Sequence, residues 1–267
     1  MWSTLVLLTA AQLAPAQNAT LTIGNDRFTY GYHGPTRKDS SFLPGEVVCL
    51  AFNIQNMTFD ASGRASFSIG MEVLDGSGKP RFRQVPRNQL AQNYLGGNAL
   101  QSVAELQIPV EASPGEYVMR LTVTDRAANT SKILERKASV LPAEFGLIHV
   151  HTSADREGRA PTAPVGTLGE ALFVNFAVVG FQRNGAMKQP NVEVALRVLD
   201  DKGAATNGKP LTGRADRDIP ADVKILPLQF GLTLNRLGRF SVELTATDKL
   251  SGKSSRVSFP IQVIALD

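Results

Sequence analysis

Apolar residues fall at alternate positions through most of the chain, and the alternating runs come in two matching sets. Val48, Leu50, Phe52 and Ile54 follow Pro44-Gly45-Glu46 just as Leu172, Val174, Phe176 and Val178 follow Leu168-Gly169-Glu170, at a constant offset of 124 residues. Phe67, Ile69, Met71, Val73 and Asp75 answer to Val192, Val194, Leu196, Val198 and Asp200, and the block Gly115–Asp125 answers to Gly238–Asp248. Period-two alternation marks half-buried strands, and a repeat of about 125 residues is large enough to close a core of its own, unlike a solenoid repeat. The chain reads as a tandem duplication of one all-β unit.

Within each unit the runs are punctuated by Gly, Asp, Asn and Pro at the spacing typical of β-sandwiches. Strands are predicted near 27–33, 46–54, 65–74, 79–85, 102–110, 116–124 and 131–140, then near 145–152, 170–179, 191–199, 209–213, 223–234, 239–247 and 254–264. Asp75 to Gly78 and Asp200 to Gly203 have the spacing of type I turns closed by a glycine at positive φ. Asp125 to Lys132 and Asp248 to Lys253 read as polar hairpin connections. The seam, Val140-Leu-Pro142-Ala-Glu-Phe145, is short and stiffened by proline, which predicts a semi-rigid, end-to-end rod of two units that each fold alone, 17–142 and 143–267.

The block Pro114-Gly115-Glu116-Tyr117-Val-Met-Arg-Leu-Thr-Val-Thr-Asp125 resembles the penultimate strand of the immunoglobulin-like and fibronectin type III-like domains common in exported bacterial proteins. Tyr117 stands where such folds keep a corner tyrosine, and Phe240 takes its place in the second unit. The resemblance implies two tandem immunoglobulin-like β-sandwiches. It carries no functional residues across, because sandwiches host many unrelated functions.

At the N-terminus, Leu5 to Leu13 is apolar but too short to span a bilayer, and Ala14-Pro15-Ala16 fits a small-x-small cleavage site, so residues 1–16 read as a signal peptide. The chain is expected to be exported, to the periplasm or beyond the cell, with no membrane insertion past the leader. The formal charge is +4, but Lys and Arg against Asp and Glu number 13 to 11 over residues 17–142 and 15 to 13 over 143–267. Nucleic-acid binders concentrate cations on one face, and so evenly divided a balance argues against that partner. The single cysteine, Cys49, excludes an intramolecular disulfide and is expected as buried apolar filler, since Phe173 holds its place in the second unit.

Candidate chemistry is sparse. His149 and His151 lie two apart on an expected strand, a spacing that presents both to one metal, with Asp155, Glu157 or His33 as possible third ligands. Asp200, Asp201, Asp216, Asp218, Asp125 and Asp248 suit calcium only if several converge, and are otherwise turn formers. Tyr30 and Tyr32 are expected to alternate on one face of the first strand, Arg81 and Arg83 along a short strand, and Tyr94 lies in the loop 93–98. Aromatic and Arg side chains anchor interfaces, so these five are the candidate binding residues. Asn18, Asn56 and Asn129 head Asn-x-Ser/Thr triplets.

No nucleophile elbow, phosphate loop, His-Glu-x-x-His or Cys-x-x-Cys is present. The expectation is a non-enzymatic structural, adhesive or protein-interaction module of the cell envelope that needs no cofactor and meets a protein partner. A carbohydrate or small-ligand module, and a periplasmic chaperone of two immunoglobulin-like domains, are the alternatives. A metal-dependent enzyme built on His149 and His151 comes last.

Overall fold

The computed structural model describes residues 20–266, and among them every regular element is a strand. The leader, residues 1–16, and Asn18 lie outside the described residues. The first unit comprises β1 (Thr22–Thr29), β2 (Ser41–Phe42), β3 (Val47–Gln55), β4 (Arg64–Asp75), β5 (Pro80–Gln92), β6 (Ala99–Gln107), β7 (Gly115–Asp125) and β8 (Thr130–Val140). The second comprises β9 (Gly146–Ser153), β10 (Pro161–Thr162), β11 (Val165–Thr167), β12 (Ala171–Val179), β13 (Val192–Leu199), β14 (Leu211–Ala215), β15 (Ile225–Thr233), β16 (Gly238–Asp248) and β17 (Ser254–Ile264).

Sheet β1-β3-β6 faces β2-β8-β7-β4-β5, and sheet β10-β9-β12-β15 faces β11-β17-β16-β13-β14. Setting β10 aside, the two orders match strand for strand. The fold is therefore two tandem immunoglobulin-like β-sandwiches. Alternate residues of each central strand point inward: Leu50, Phe52 and Ile54 pack with Met71, Leu121 and Val123 in one core, and Val174, Phe176 and Val178 with Leu196, Val242 and Leu244 in the other.

The repeated Gly-Glu has a geometric cause. Gly45 and Gly169 sit at φ of 88° and 92°, a region L side chains avoid, and each opens a turn that the following glutamate closes. The Leu43 N–H donates to Glu46 Oε2 at 3.1 Å, and the Thr167 N–H to Glu170 Oε2 at 2.7 Å. The repeated Asp at the end of the penultimate strand works similarly. Asp125 accepts from the Thr58 and Ala127 N–H groups and Asp248 from those of Gln182 and Leu250, so one buried carboxylate ties a hairpin to a crossing loop in each unit. Asp75 and Asp200 close their turns onto Gly78 and Gly203 at 2.8 and 3.0 Å. The Tyr117 hydroxyl donates to the Ser113 carbonyl at 2.9 Å, which is the corner-tyrosine contact.

Two strand expectations are corrected. The first strand ends at Thr29, and the chain then bends through Tyr30–His33, so Tyr30 and Tyr32 do not alternate along it. The strand expected at 79–85 runs through Gln92; its exposed residues on both faces leave no alternation to read. Strands β2, β10 and β11 also went unpredicted, being two or three residues long, and β2 and β11 add in parallel to the last strand of their unit.

Candidate functional site

The seam is a bonded junction. Leu43 of the first unit joins Ile148, Ala177 and Val179 on the outer face of β9 and β12 in a separate apolar cluster. Lys224 pairs with Glu111 across the same seam at 2.9 Å. Beside this cluster a cavity of about 300 Å³ opens between the units, lined by Tyr30, Tyr32, Glu46, Cys49, His149 and His151 among others.

The local backbone explains how β9 presents its histidines. Its ladder with β12 is broken by a bulge between Asn175 and Ala177, and the ladder of β1 with β3 is broken at the equivalent place, between Gly24 and Arg27. In each bulge one residue adopts positive φ, Asn25 at 51° and His149 at 54°. Asn and His tolerate that region better than most side chains. The bulge spoils the simple two-apart geometry on which metal chelation by His149 and His151 rested. His149 Nε2 lies 2.7 Å from the Gly45 carbonyl oxygen, and His151 Nδ1 lies 2.8 Å from the His149 carbonyl oxygen. Among the described residues no three His, Cys, Asp or Glu side chains converge as a metal site. Burial holds the His149 ring below its ordinary pKa, partly offset by the Gly45 bond.

The wall contributed by the first unit carries buried charge. Arg37 and Glu46 form a buried ion pair, their side chains 10% and 7% exposed. The Arg37 guanidinium also donates to the Ser41 carbonyl at 2.8 Å and lies 4.4 Å from the Phe42 ring centre and 5.0 Å from that of Tyr30, while its Nε has no partner among the described residues. Burial pushes the Glu46 carboxyl up more strongly than Arg37 pulls it down. The Tyr30 ring reaches across to Phe259 of the second unit at 6.4 Å. Gly31 follows where the loop touches β9: a Cβ there would meet the His151 Cβ at 2.5 Å.

Cys49 is buried, as expected, but its surroundings are polar: it is on the face of β3 opposite the core, and its thiol reaches Glu105 Oε1 at 3.7 Å. Burial first, then Glu105, pushes the thiol up to about 12. A thiol held neutral against a carboxylate, in a cavity whose His149 ring is already bonded to a carbonyl, is not an activated nucleophile.

The five candidate binding residues fall in separate places. Tyr30 and Tyr32 are at the seam. Tyr94 is at the far end of the first sandwich, where the Asn93 N–H donates to the Gly63 carbonyl at 2.8 Å. The intervening β3 spans roughly 30 Å at about 3.3 Å per residue. Arg81 and Arg83 lie on β5, paired with Asp75 and Glu72 of β4 at 2.7 and 3.3 Å. Sequence reasoning missed Arg37, Glu46 and Glu105 at the cavity. It also missed Val85, Leu90 and Leu95, which with Tyr94 are the most exposed large apolar residues of the first unit: 68%, 79%, 101% and 85%.

No family model matches the chain, and no curated protein matches it. Among solved structures it is similar to red sea bream transglutaminase, at 9% identity and a TM-score of 0.28 over 93% of this chain and 32% of that one. Dimeric latent PorU from Porphyromonas gingivalis aligns at 9% identity and 0.39 over 96% and 21%, and the C-terminal domain of Streptococcus agalactiae BspA at 9% and 0.29 over 89% and 99%. The chain thus spans about a third and a fifth of the first two proteins. Likeness this distant bears on neither substrate nor partner.

Proposed function

We propose that the protein is an exported, non-enzymatic protein-interaction module of the cell envelope, and that the first unit contacts the partner through β5 and the loop that follows it. The observation that carries this reading is the concentration of Val85, Leu90, Tyr94 and Leu95 in the open along thirteen residues of strand and its tip. Of the thirteen residues of β5 only Ala91 packs against the core, so the strand is far longer than folding requires, and exposed apolar and aromatic side chains rimmed by Arg suit a protein partner. Export rests on the apolar leader-like run before Ala16. The neutral Cys49 and the carbonyl-bonded His149 support a non-enzymatic role. The test is chemical cross-linking of the full chain in its native envelope, followed by capture with Tyr94→Ala and Leu95→Ala variants. Each should weaken capture by about 1–2 kcal/mol while leaving the unfolding midpoint in place. Undiminished capture by both would move the site elsewhere.

A second reading, a small-ligand or carbohydrate module, draws on the seam cavity, where Tyr30, Tyr32 and His151 surround a volume of about 300 Å³. Glycan-array binding lost in Tyr32→Ala would favour it over the first.

A further inference from the structure

Residues 76–104 contain Lys79, Arg81, Arg83 and Arg87 and not one Asp or Glu, in a chain whose charge is otherwise evenly mixed. This stretch is β5, its two flanking loops and the start of β6. Among the described residues β5 hydrogen-bonds to β4 alone, so its other edge offers its backbone N–H and C=O groups to solvent. Its counterpart β14 has five residues where β5 has thirteen. The elongation therefore belongs to the first unit and not to the shared fold.

The edge is not uniform. Between the pairs Met71–Gln84 and Ile69–Arg87 the register shifts, which places Val85 and Pro86 in a bulge. Proline lacks the donor that a ladder requires, so the half up to Pro86 is poorly suited to pairing. The half Arg87–Gln92 has no such interruption, and it leads into exposed Tyr94 and Leu95. Around it the cations accumulate. Arg87 makes no ion pair among the described residues, Arg126 donates to Asn88 Oδ1, and Arg64 donates to Gln92 Oε1 at 3.2 Å.

Resting on the reading of β5 as the interaction face, we propose that its occupant is an extended, acidic segment of another protein, which adds as a strand along Arg87–Gln92 and sets apolar residues against Leu90, Tyr94 and Leu95. Strand addition supplies the affinity through main-chain bonds, and Arg64, Arg87 and Arg126 supply the preference for acid. A second copy of this chain is disfavoured, because two such edges bring basic strand against basic strand with no acid on either.

The test uses the full chain with two fluorescent synthetic peptides, one alternating glutamate and valine and the other lysine and valine. The acidic peptide should bind and slow amide hydrogen exchange across 87–92, while the basic one should not. Arg87→Glu should weaken the acidic peptide about tenfold with the unfolding midpoint unchanged. Equal binding of both peptides, binding without protection of 87–92, or concentration-dependent self-association that protects the same amides would overturn the proposal. If native capture still depends on Tyr94 and Leu95 in that event, the interaction face stands and only the acidic strand is lost.

Discussion

His149 Nε2 meets the Gly45 carbonyl oxygen at 2.7 Å, joining a bulge in the second unit to the glutamate-closed turn of the first. The bond links residues 104 apart and couples the seam to the protonation state of one ring. His149→Asn places the bulge residue of the first unit in the second, which preserves tolerance of positive φ and removes the reach to Gly45. Thermal unfolding should report a loss of about 1 kcal/mol for this variant, the usual net value of one such bond. No loss would mean that the bond is not formed in solution.

The same ring sets a pH dependence. Because burial lowers its pKa in the folded state, the unfolded chain takes up the proton first as pH falls. Stability is therefore undisturbed above the ordinary histidine value of about 6.5 and declines as pH drops below it. Denaturant midpoints measured from neutral to mildly acidic pH should fall further for the natural chain than for His149→Asn. Parallel profiles would remove His149 as the cause.

Glu46 and Glu170 close equivalent turns but differ in what else they touch. Glu46→Ala leaves the buried Arg37 with only the exposed Asp39, 3.5 Å away, as counter-charge, and the cost should be about 3 kcal/mol. Glu170 is exposed, and Glu170→Ala should shift the midpoint much less. Urea unfolding of the two variants measures the difference directly. Equal effects would show that the turn bond, not the ion pair, dominates at Glu46.

Cys49 should resist a thiol reagent at neutral pH in the native protein and react readily in denaturant, because its thiolate is scarce while the thiol stays near 12. Equal rates in both conditions would place the sulfur in solvent.

Leu43 inserts into the second unit's outer face beside Ile148, so Leu43→Asp should separate the sandwiches without dissolving either core. Calorimetry is expected to resolve two transitions for the variant and one for the natural chain. A thermogram unchanged by the substitution would show that the seam contributes little to the coupling of the two units.

What the sequence revealed follows from what leaves a period behind. The central strands, the paired Gly-Glu and Thr-x-Thr-Asp blocks and the turn aspartates all recur at fixed spacing, and each maps onto a buried face or a closed turn. The seam was hidden because its contacts, such as Tyr30 with Phe259, join residues far apart in sequence with no repeat to betray them. The bulge at His149 converts an apparently regular alternation into a different side-chain geometry. The second half of β5 was missed for the opposite reason: pattern reading detects strands by their buried side, and here Ala91 alone packs against the core. Its acid-free composition was the available signal.

The junction cluster also gives the molecule a direction. Ile148, Ala177 and Val179 have Gly24, Asn53 and Gln55 at the matching positions of the first unit, and Leu43 has Thr167 in the second. The first unit thus carries the plug without the socket, and the second carries the socket without the plug. A head-to-tail contact of this kind would ordinarily run on from molecule to molecule into a fibre. Here both halves of the contact are spent within one chain, so copies of the protein have no such fastening left to offer one another.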